Sequence, residues 1–289
     1  MKKNQCKITA ICNQKGGVTK TTTTANLGIG LVMQGRKVLL LDIDPQADLT
    51  TSLGWRDTDS LPVTLATIME RSMNDKDVDS KSAILNHNEG VDLIPASLEL
   101  SSTEVSLVNA MSREYALKTC LESLKQDYDH IIIDCPPSLS MLTLNALMAA
   151  DSVIIPVQAR YLPAKGMTQL MKTITKVRKQ VNPNLKVEGI VLTLADMRTN
   201  LARATVSALR EQYGSMLRIF KTHIPVAVKA AEISAAGQSI YAYDKNSKVA
   251  QAYSEFTKEV RKFESKLPNL LYVQAALACA KPPLMHAFL

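Results

Sequence analysis

Short apolar runs alternate along this chain with longer stretches that repeat apolar residues at helical spacing. Ile8–Cys12, Val38–Leu41, Val91–Ile94, Ile131–Ile133, Val153–Val157 and Val187–Leu192 read as strands of a sheet covered on both faces. Thr22–Met33, Ser102–Leu124, Met141–Met148, Met167–Val181 and Leu201–Gln212 carry apolar residues every three or four positions and read as helices. Gly35 is placed to end the first of them. This order predicts stacked βαβ units, an α/β fold with a mostly parallel twisted sheet and helices on both faces. The segment Asp57–Asn88, rich in Asp, Ser and Asn, is expected to form short helices and surface loops. No internal repeat and no linker-like change of composition precedes Leu267, so residues 1–266 are expected to form one domain. Residues 267–289, with Lys281-Pro282-Pro283, do not continue the pattern and are expected to be a tail without an assigned role.

Composition narrows the choices. A chain of 289 residues with 46% hydrophobic and 21% charged side chains can bury a sizeable core, which excludes a disordered chain and a disulfide mini-protein. Aromatic residues are only 4%, so any nucleic-acid contact should be electrostatic and not a stack of bases on rings. Lys and Arg number 34 against 27 Asp and Glu, a net charge of +7 that favours polyanionic partners. The five cysteines, Cys6, Cys12, Cys120, Cys135 and Cys279, include no C-x-x-C pair, which argues against a disulfide framework, a zinc site or an iron–sulfur site. Met1 to Gln5 run straight into a strand-like segment without an apolar signal core, and no apolar run has membrane-spanning length; a cytoplasmic location is expected.

Three segments carry the chemistry. Asn13-Gln14-Lys15-Gly16-Gly17-Val18-Thr19-Lys20-Thr21-Thr22 lies between the first strand and the first helix. There, glycines let backbone N–H groups converge on phosphate, Lys20 can reach the β- and γ-phosphates, and the Thr21 hydroxyl can ligate Mg²⁺. The strand Leu39–Leu41 runs into Asp42 and Asp44 at the carboxyl edge of the sheet, where such folds bind ligands. Two like charges so close need a cation or donors to offset them, and Mg²⁺ beside a triphosphate would serve. His130-Ile131-Ile132-Ile133-Asp134-Cys135-Pro136-Pro137 repeats the arrangement, an apolar strand ending in a carboxylate.

The spelling K-G-G-x-x-K-T, with Lys15 directly before the glycine pair, resembles the deviant Walker A ATPases: ParA and Soj partition proteins, MinD proteins and the nitrogenase iron-protein group. The resemblance to ParA/Soj spans about Lys7 to Val260 and includes Asp42-Ile43-Asp44-Pro45-Gln46, Ile132-Ile133-Asp134-Cys135-Pro136-Pro137 and Tyr241-Ala242-Tyr243-Asp244. It implies a P-loop ATPase using ATP and Mg²⁺, with residues 15–22 on the nucleotide and Lys15 reaching the nucleotide of a second copy in an ATP-dependent homodimer. It further implies Asp44 orienting the attacking water, Asp42 holding Mg²⁺-bound water and Asp134 near the ion. The family usually has glycine where this chain has Thr19; a β-branched residue there would either strain the loop and slow turnover or fit without strain.

The resemblance extends to partners. It implies non-specific duplex DNA, contacted by Arg198 and Lys229, a ParB/Spo0J-like centromere-binding protein that stimulates hydrolysis, and a nucleoid-associated location. Residues 158–187 add a cationic stretch without Asp or Glu, in which Lys172, Lys176 and Lys179 would face water. No additional N-terminal DNA-reading domain is evident, so operator-specific autorepression is not expected. Two alternatives remain open at this point. One is a MinD-like ATPase cycling on membranes, suggested by Phe256, Val260, Phe263 and Leu267 flanked by Lys258, Arg261, Lys262 and Lys266. The other is a non-hydrolysing nucleotide-dependent scaffold with turnover blunted by Thr19. Stable membrane association is not expected, because the stripe suits a docked final helix.

Overall fold

The structure, a computed structural model, describes residues 5–74, 76–159, 164–226 and 230–264. Its first half runs β1 (Lys7–Ile11), α1 (Lys20–Val32), β2 (Val38–Asp42), α2 (Asp48–Ser52), α3 (Leu65–Met73), β3 (Leu85–Asn86), β4 (Asp92–Ile94), α4 (Leu100–Asn109), α5 (Ala116–Glu122) and β5 (His130–Asp134). The second half runs α6 (Met141–Ala149), β6 (Ser152–Gln158), α7 (Ala164–Gln180), β7 (Lys186–Thr193), α8 (Asn200–Tyr213), β8 (Ile219–His223), α9 (Ala230–Ala236), α10 (Ile240–Tyr243) and α11 (Lys248–Glu264). Among the described residues the strands form one sheet in the order β3-β4-β2-β5-β1-β6-β7-β8. All neighbours are parallel except the edge pair β3 and β4.

Alternation along the strands divides the core. Leu39, Leu41, Ile131 and Ile133 face the layer containing α3 to α8, whereas Val38, Leu40 and Ile132 face α1, α2, α9, α10 and α11. Strands covered on both faces must be apolar at every position, which is why β2 and β5 read as unbroken runs. Gly35 has φ +76° and turns the chain after α1, as its position predicts.

Two expectations need correction. Ser102–Leu124 is not one helix: α4 and α5 are separated by a turn in which Ser112 has φ +50°. Asn145 of α6 supplies the backbone partners that the break exposes, donating to Arg113 O at 2.9 Å and accepting from Leu117 N at 3.1 Å. The short strands β3 and β8 were not expected. Strand β8 is an edge whose N–H groups at Lys221 and Thr222 donate to the Glu259 carboxylate of α11, at 3.0 and 3.1 Å, a partner remote in sequence.

The amphipathic readings of the later helices hold. In α7, Leu170, Ile174 and Val177 are buried while Lys172, Lys176 and Lys179 are exposed. In α11, Phe256 and Val260 are buried in the core, and Phe263 lies under the Arg218 guanidinium, 4.4 Å from the ring centre. The apolar stripe is therefore docked on the protein. Leu267, Lys266 and the tail lie outside the described residues.

Candidate functional site at the carboxyl edge of the sheet

The ends of β1, β2 and β5 converge on the glycine loop. Asn13 anchors its start, donating through Nδ2 to Pro156 O at 2.6 Å and accepting from Lys15 N at 3.0 Å. Gly17 has φ +69° with open space where a Cβ would stand, so the backbone here is free to meet a ligand. Val18 is buried, and its carbonyl accepts from the Thr193 hydroxyl at 3.0 Å. The loop is thus tied at both ends to β6 and β7.

Its two lysines point to different environments. Lys20 is buried and folds over the loop, its Nζ donating to Lys15 O at 3.4 Å, whereas Lys15 is exposed. Between them Thr19 has φ +64° and ψ +36°, the left-handed conformation in which glycine is at ease. The expected strain is present, and for a β-branched residue it costs about 1–3 kcal/mol. The Thr19 hydroxyl is also buried.

The carboxylates are held in distinct ways. Asp134 accepts from the Thr21 hydroxyl at 2.7 Å and the Thr24 hydroxyl at 3.1 Å. Burial, then the neighbouring Asp42 charge, pushes its pKa up to about 8, against the pull of Thr21, Lys20 and Thr24. Asp42 stands beside it in register across β2 and β5. Burial raises Asp42 to about 7, although Thr50 donates both N–H and hydroxyl to its Oδ2, at 2.9 and 2.7 Å, and Asp44 N donates to its Oδ1 at 3.1 Å. Both Asp42 oxygens thus accept from donors within the protein. Strand β2 ends there, so Asp44 stands in the following turn, half-buried, accepting from Gln46 N at 3.1 Å. Its pKa is raised by burial and by Asp48, with Lys20 opposing.

Thr21, Asp134 and Lys20 offer hard oxygen donors and an ammonium at one point, a set suited to Mg²⁺ and phosphate. Among the described residues no group of three His, Cys, Asp or Glu side chains is arranged to hold a metal by itself. The Pro136-Pro137 segment after Asp134 borders the loop: a Cβ on Gly16 would lie 3.9 Å from Pro137 Cβ. Beside Thr21 and Thr22 a cleft of about 520 Å³ continues along Asp48, Thr51, Ser52, Arg56 and Ala235.

Thr24, Thr50 and Tyr253 also shape this site, and no motif announces them. Arg198 lies apart from these residues. Arg198, in the turn from β7 to α8, is 90% exposed and pairs with Asp196 through two contacts of 2.8 and 2.9 Å. Lys229 lies outside the described residues. Among the described residues no helix is long and apolar enough to cross a membrane.

Comparison with known proteins places this geometry. A model of the AAA domain family AAA_31 matches residues 6–187. The chain is 43% identical over 258 residues to the sporulation initiation inhibitor protein Soj of Bacillus subtilis, covering 88% of this chain and 98% of that one. It is 38% identical over 262 residues to the chromosome partitioning protein ParA of Caulobacter vibrioides, covering 90% and 96%. Among solved structures, a cobyrinic acid a,c-diamide synthase of Mycobacterium smegmatis with bound ADP and magnesium superposes with a TM-score of 0.78 at 40% identity, over 92% of this chain and 99% of that one. The cell division ATPase MinD of Pyrococcus furiosus superposes with a TM-score of 0.69 at 25% identity, over 89% and 99%.

Proposed function

The chain is an ATPase of the Soj/ParA family, and from that premise we propose that it is an ATP-dependent dimerising switch. In this reading it binds duplex DNA without sequence preference and moves a chromosomal or plasmid partition complex with a ParB/Spo0J-like partner. The supporting observation is the division of labour within one loop: Lys20 is turned inward over the phosphate cradle while Lys15, five residues earlier, is exposed. An ammonium on the outer rim is suited to the nucleotide of a second copy.

Phosphoryl transfer to water needs in-line positioning and offset of the charge that spreads over the γ-phosphate. The N–H groups of residues 16–22 and Lys20 bind the phosphates, and Lys15 of the second copy closes the site against bulk water. Thr21 and Asp134 would hold Mg²⁺, with Asp42 acting through the ion's water; bound there, Mg²⁺ neutralises phosphate charge. Asp44, in the turn beyond β2, orients the water that attacks the terminal phosphorus, releasing ADP and phosphate. Loss of that phosphate removes what Lys15 grips, so the dimer loosens.

Arg198 and Lys229 are proposed to touch DNA phosphates, and the exposed lysines of α7 extend the cationic surface. A cytoplasmic, nucleoid-associated location follows from this reading. Cosedimentation with duplex DNA tests it. Binding is expected in Mg·ATP, weak in Mg·ADP and steeply reduced by salt. Equal binding in both nucleotides, or recovery with anionic liposomes in place of DNA, would contradict it.

A further inference from the structure

Asp44 stands in a turn that is held from both sides. Its N–H donates to Asp42 Oδ1 at 3.1 Å, its Oδ1 accepts from Gln46 N at 3.1 Å, and its carbonyl accepts from Ala47 N at 2.8 Å. Ala47 leaves the turn with φ +53°, a left-handed conformation that a residue with a Cβ keeps only where its surroundings over-determine it. Thr50, three residues on in α2, closes the chain back onto β2.

Thr50 is fully buried, and its hydroxyl is used in both directions. It donates to Asp42 Oδ2 at 2.7 Å and accepts from Ala96 N at 3.1 Å, while the Thr50 N–H donates to the same Oδ2 at 2.9 Å. One side chain thereby joins the end of β2, helix α2 and the segment that leaves β4. That segment is itself anchored: Pro95 O accepts from Leu65 N at 2.9 Å, and Ser97 Oγ lies 3.3 Å from the Thr64 hydroxyl. A chain of hydrogen bonds therefore runs from Ala96 N through Thr50 Oγ1 and the Asp42 carboxylate to Asp44 N, and each link orients the next.

We infer that Thr50 is a positioning residue for hydrolysis: by clamping the Asp42 carboxylate to the segment after β4, it fixes the turn that aims Asp44 at the attacking water. This rests on the function proposed above, in which Asp44 orients that water. A misplacement of about 1 Å at such a group can cost about a hundredfold in rate. The Thr50 side chain bonds to Asp42 and Ala96 and not to the phosphate loop, so its hydroxyl governs turnover more than the grip on nucleotide.

The test is a double-mutant cycle on the full chain with Thr50→Val, Asp44→Ala and their combination, and with Thr50→Ser as the conservative variant. Phosphate release gives kcat and KM, single-turnover hydrolysis gives the residual rates of the slow variants, and calorimetry gives the affinity for Mg·ATP. Thr50→Val keeps nearly the same shape and removes the hydroxyl. It is expected to lower kcat about tenfold, with KM and affinity within about twofold of wild type. Thr50→Ser should retain kcat within about twofold. In the Asp44→Ala background, Thr50→Val should cost less than about twofold further, because the group it positions is gone. A lower melting temperature is also expected from the unpaired Ala96 N–H, so the split between kcat and KM and the Asp44→Ala background decide the matter, and not stability. Thr50→Ala, which sets no methyl group against the carboxylate, carries the same expectations if Thr50→Val fails to fold. Wild-type kcat without the hydroxyl, an undiminished loss on top of Asp44→Ala, or Thr50→Ser as slow as Thr50→Val would overturn the inference. Wild-type kcat in Asp44→Ala would instead overturn the role of Asp44, and wild-type protein that does not hydrolyse Mg·ATP would overturn the ATPase reading.

Discussion

The two ends of strand β5 face the same physics with different outcomes. His130 at its start and Asp134 at its end are both buried, and burial drives each toward its neutral form: His130 down to about 4, Asp134 up to about 8. At the amino edge, neighbouring polar groups are tied to one another. Lys7 meets Glu188 at 2.7 Å, Ser152 donates to the same carboxylate at 2.9 Å, and the Thr9 hydroxyl lies 3.1 Å from that of Ser152. At the carboxyl edge the chain instead accepts strain at Thr19 and sets two buried carboxyls side by side near a buried ammonium. The amino-edge network converges on Glu188 Oε2, while Glu188 Oε1 is buried without a partner. A strained edge with two buried carboxyls side by side stays costly until a polyanion and a divalent cation complete it.

If the edges differ in this way, substitutions at each should separate binding from stability. Lys20→Ala should produce the largest change, weakening Mg·ATP by about a hundredfold or more by calorimetry while the protein remains folded. Asp44→Ala should lower kcat by about a hundredfold with nucleotide affinity preserved within a few-fold, as expected of a group that orients water. At the opposite edge, Glu188→Gln should lower stability by about 1–3 kcal/mol in urea melts and leave the ATPase rate unchanged.

The ends of β5 should also respond to pH with opposite signs in nucleotide-free protein. Unfolded His130 takes up a proton near its ordinary value of about 6.5, and the folded form resists until about 4. The unfolded chain binds more protons across that window, so the His130 contribution falls by about 3 kcal/mol as pH drops from 6.5 to 4. Asp134 retains its proton up to about 8 when folded and loses it near 4 when unfolded, so its contribution falls as pH rises from 4 to 8. Urea melts of His130→Gln and Asp134→Asn against wild type should isolate the two slopes; slopes of the same sign would erase the contrast. The smallest effect is expected at the rim, where Arg198→Glu should weaken DNA binding about three- to tenfold and reduce its salt dependence.

How much of this was legible in the sequence follows from which neighbours decide each feature. The central strands were readable because burial on both faces demands apolar residues at every position of runs such as Ile131–Ile133. The loop from Lys15 to Thr22 was readable because phosphate chemistry constrains adjacent residues. Thr50 carries no such mark: its function on Asp42 exists only because α2 folds back over β2. Tyr253 meets Thr23 across 230 positions, and β8 depends on Glu259 of another element. The predicted single helix over Ser102–Leu124 missed because Asn145 repairs the broken backbone from outside that segment.

The central claim is that nucleotide joins two copies through the exposed Lys15. Light scattering on size-exclusion chromatography of Asp44→Ala at saturating Mg·ATP measures this most directly. The account predicts a mass near twice 31.7 kDa with ATP, a return to the single-chain mass with ADP, and loss of the larger species when Lys15→Ala is added. A single-chain mass under saturating Mg·ATP, with nucleotide verified as bound, would contradict it.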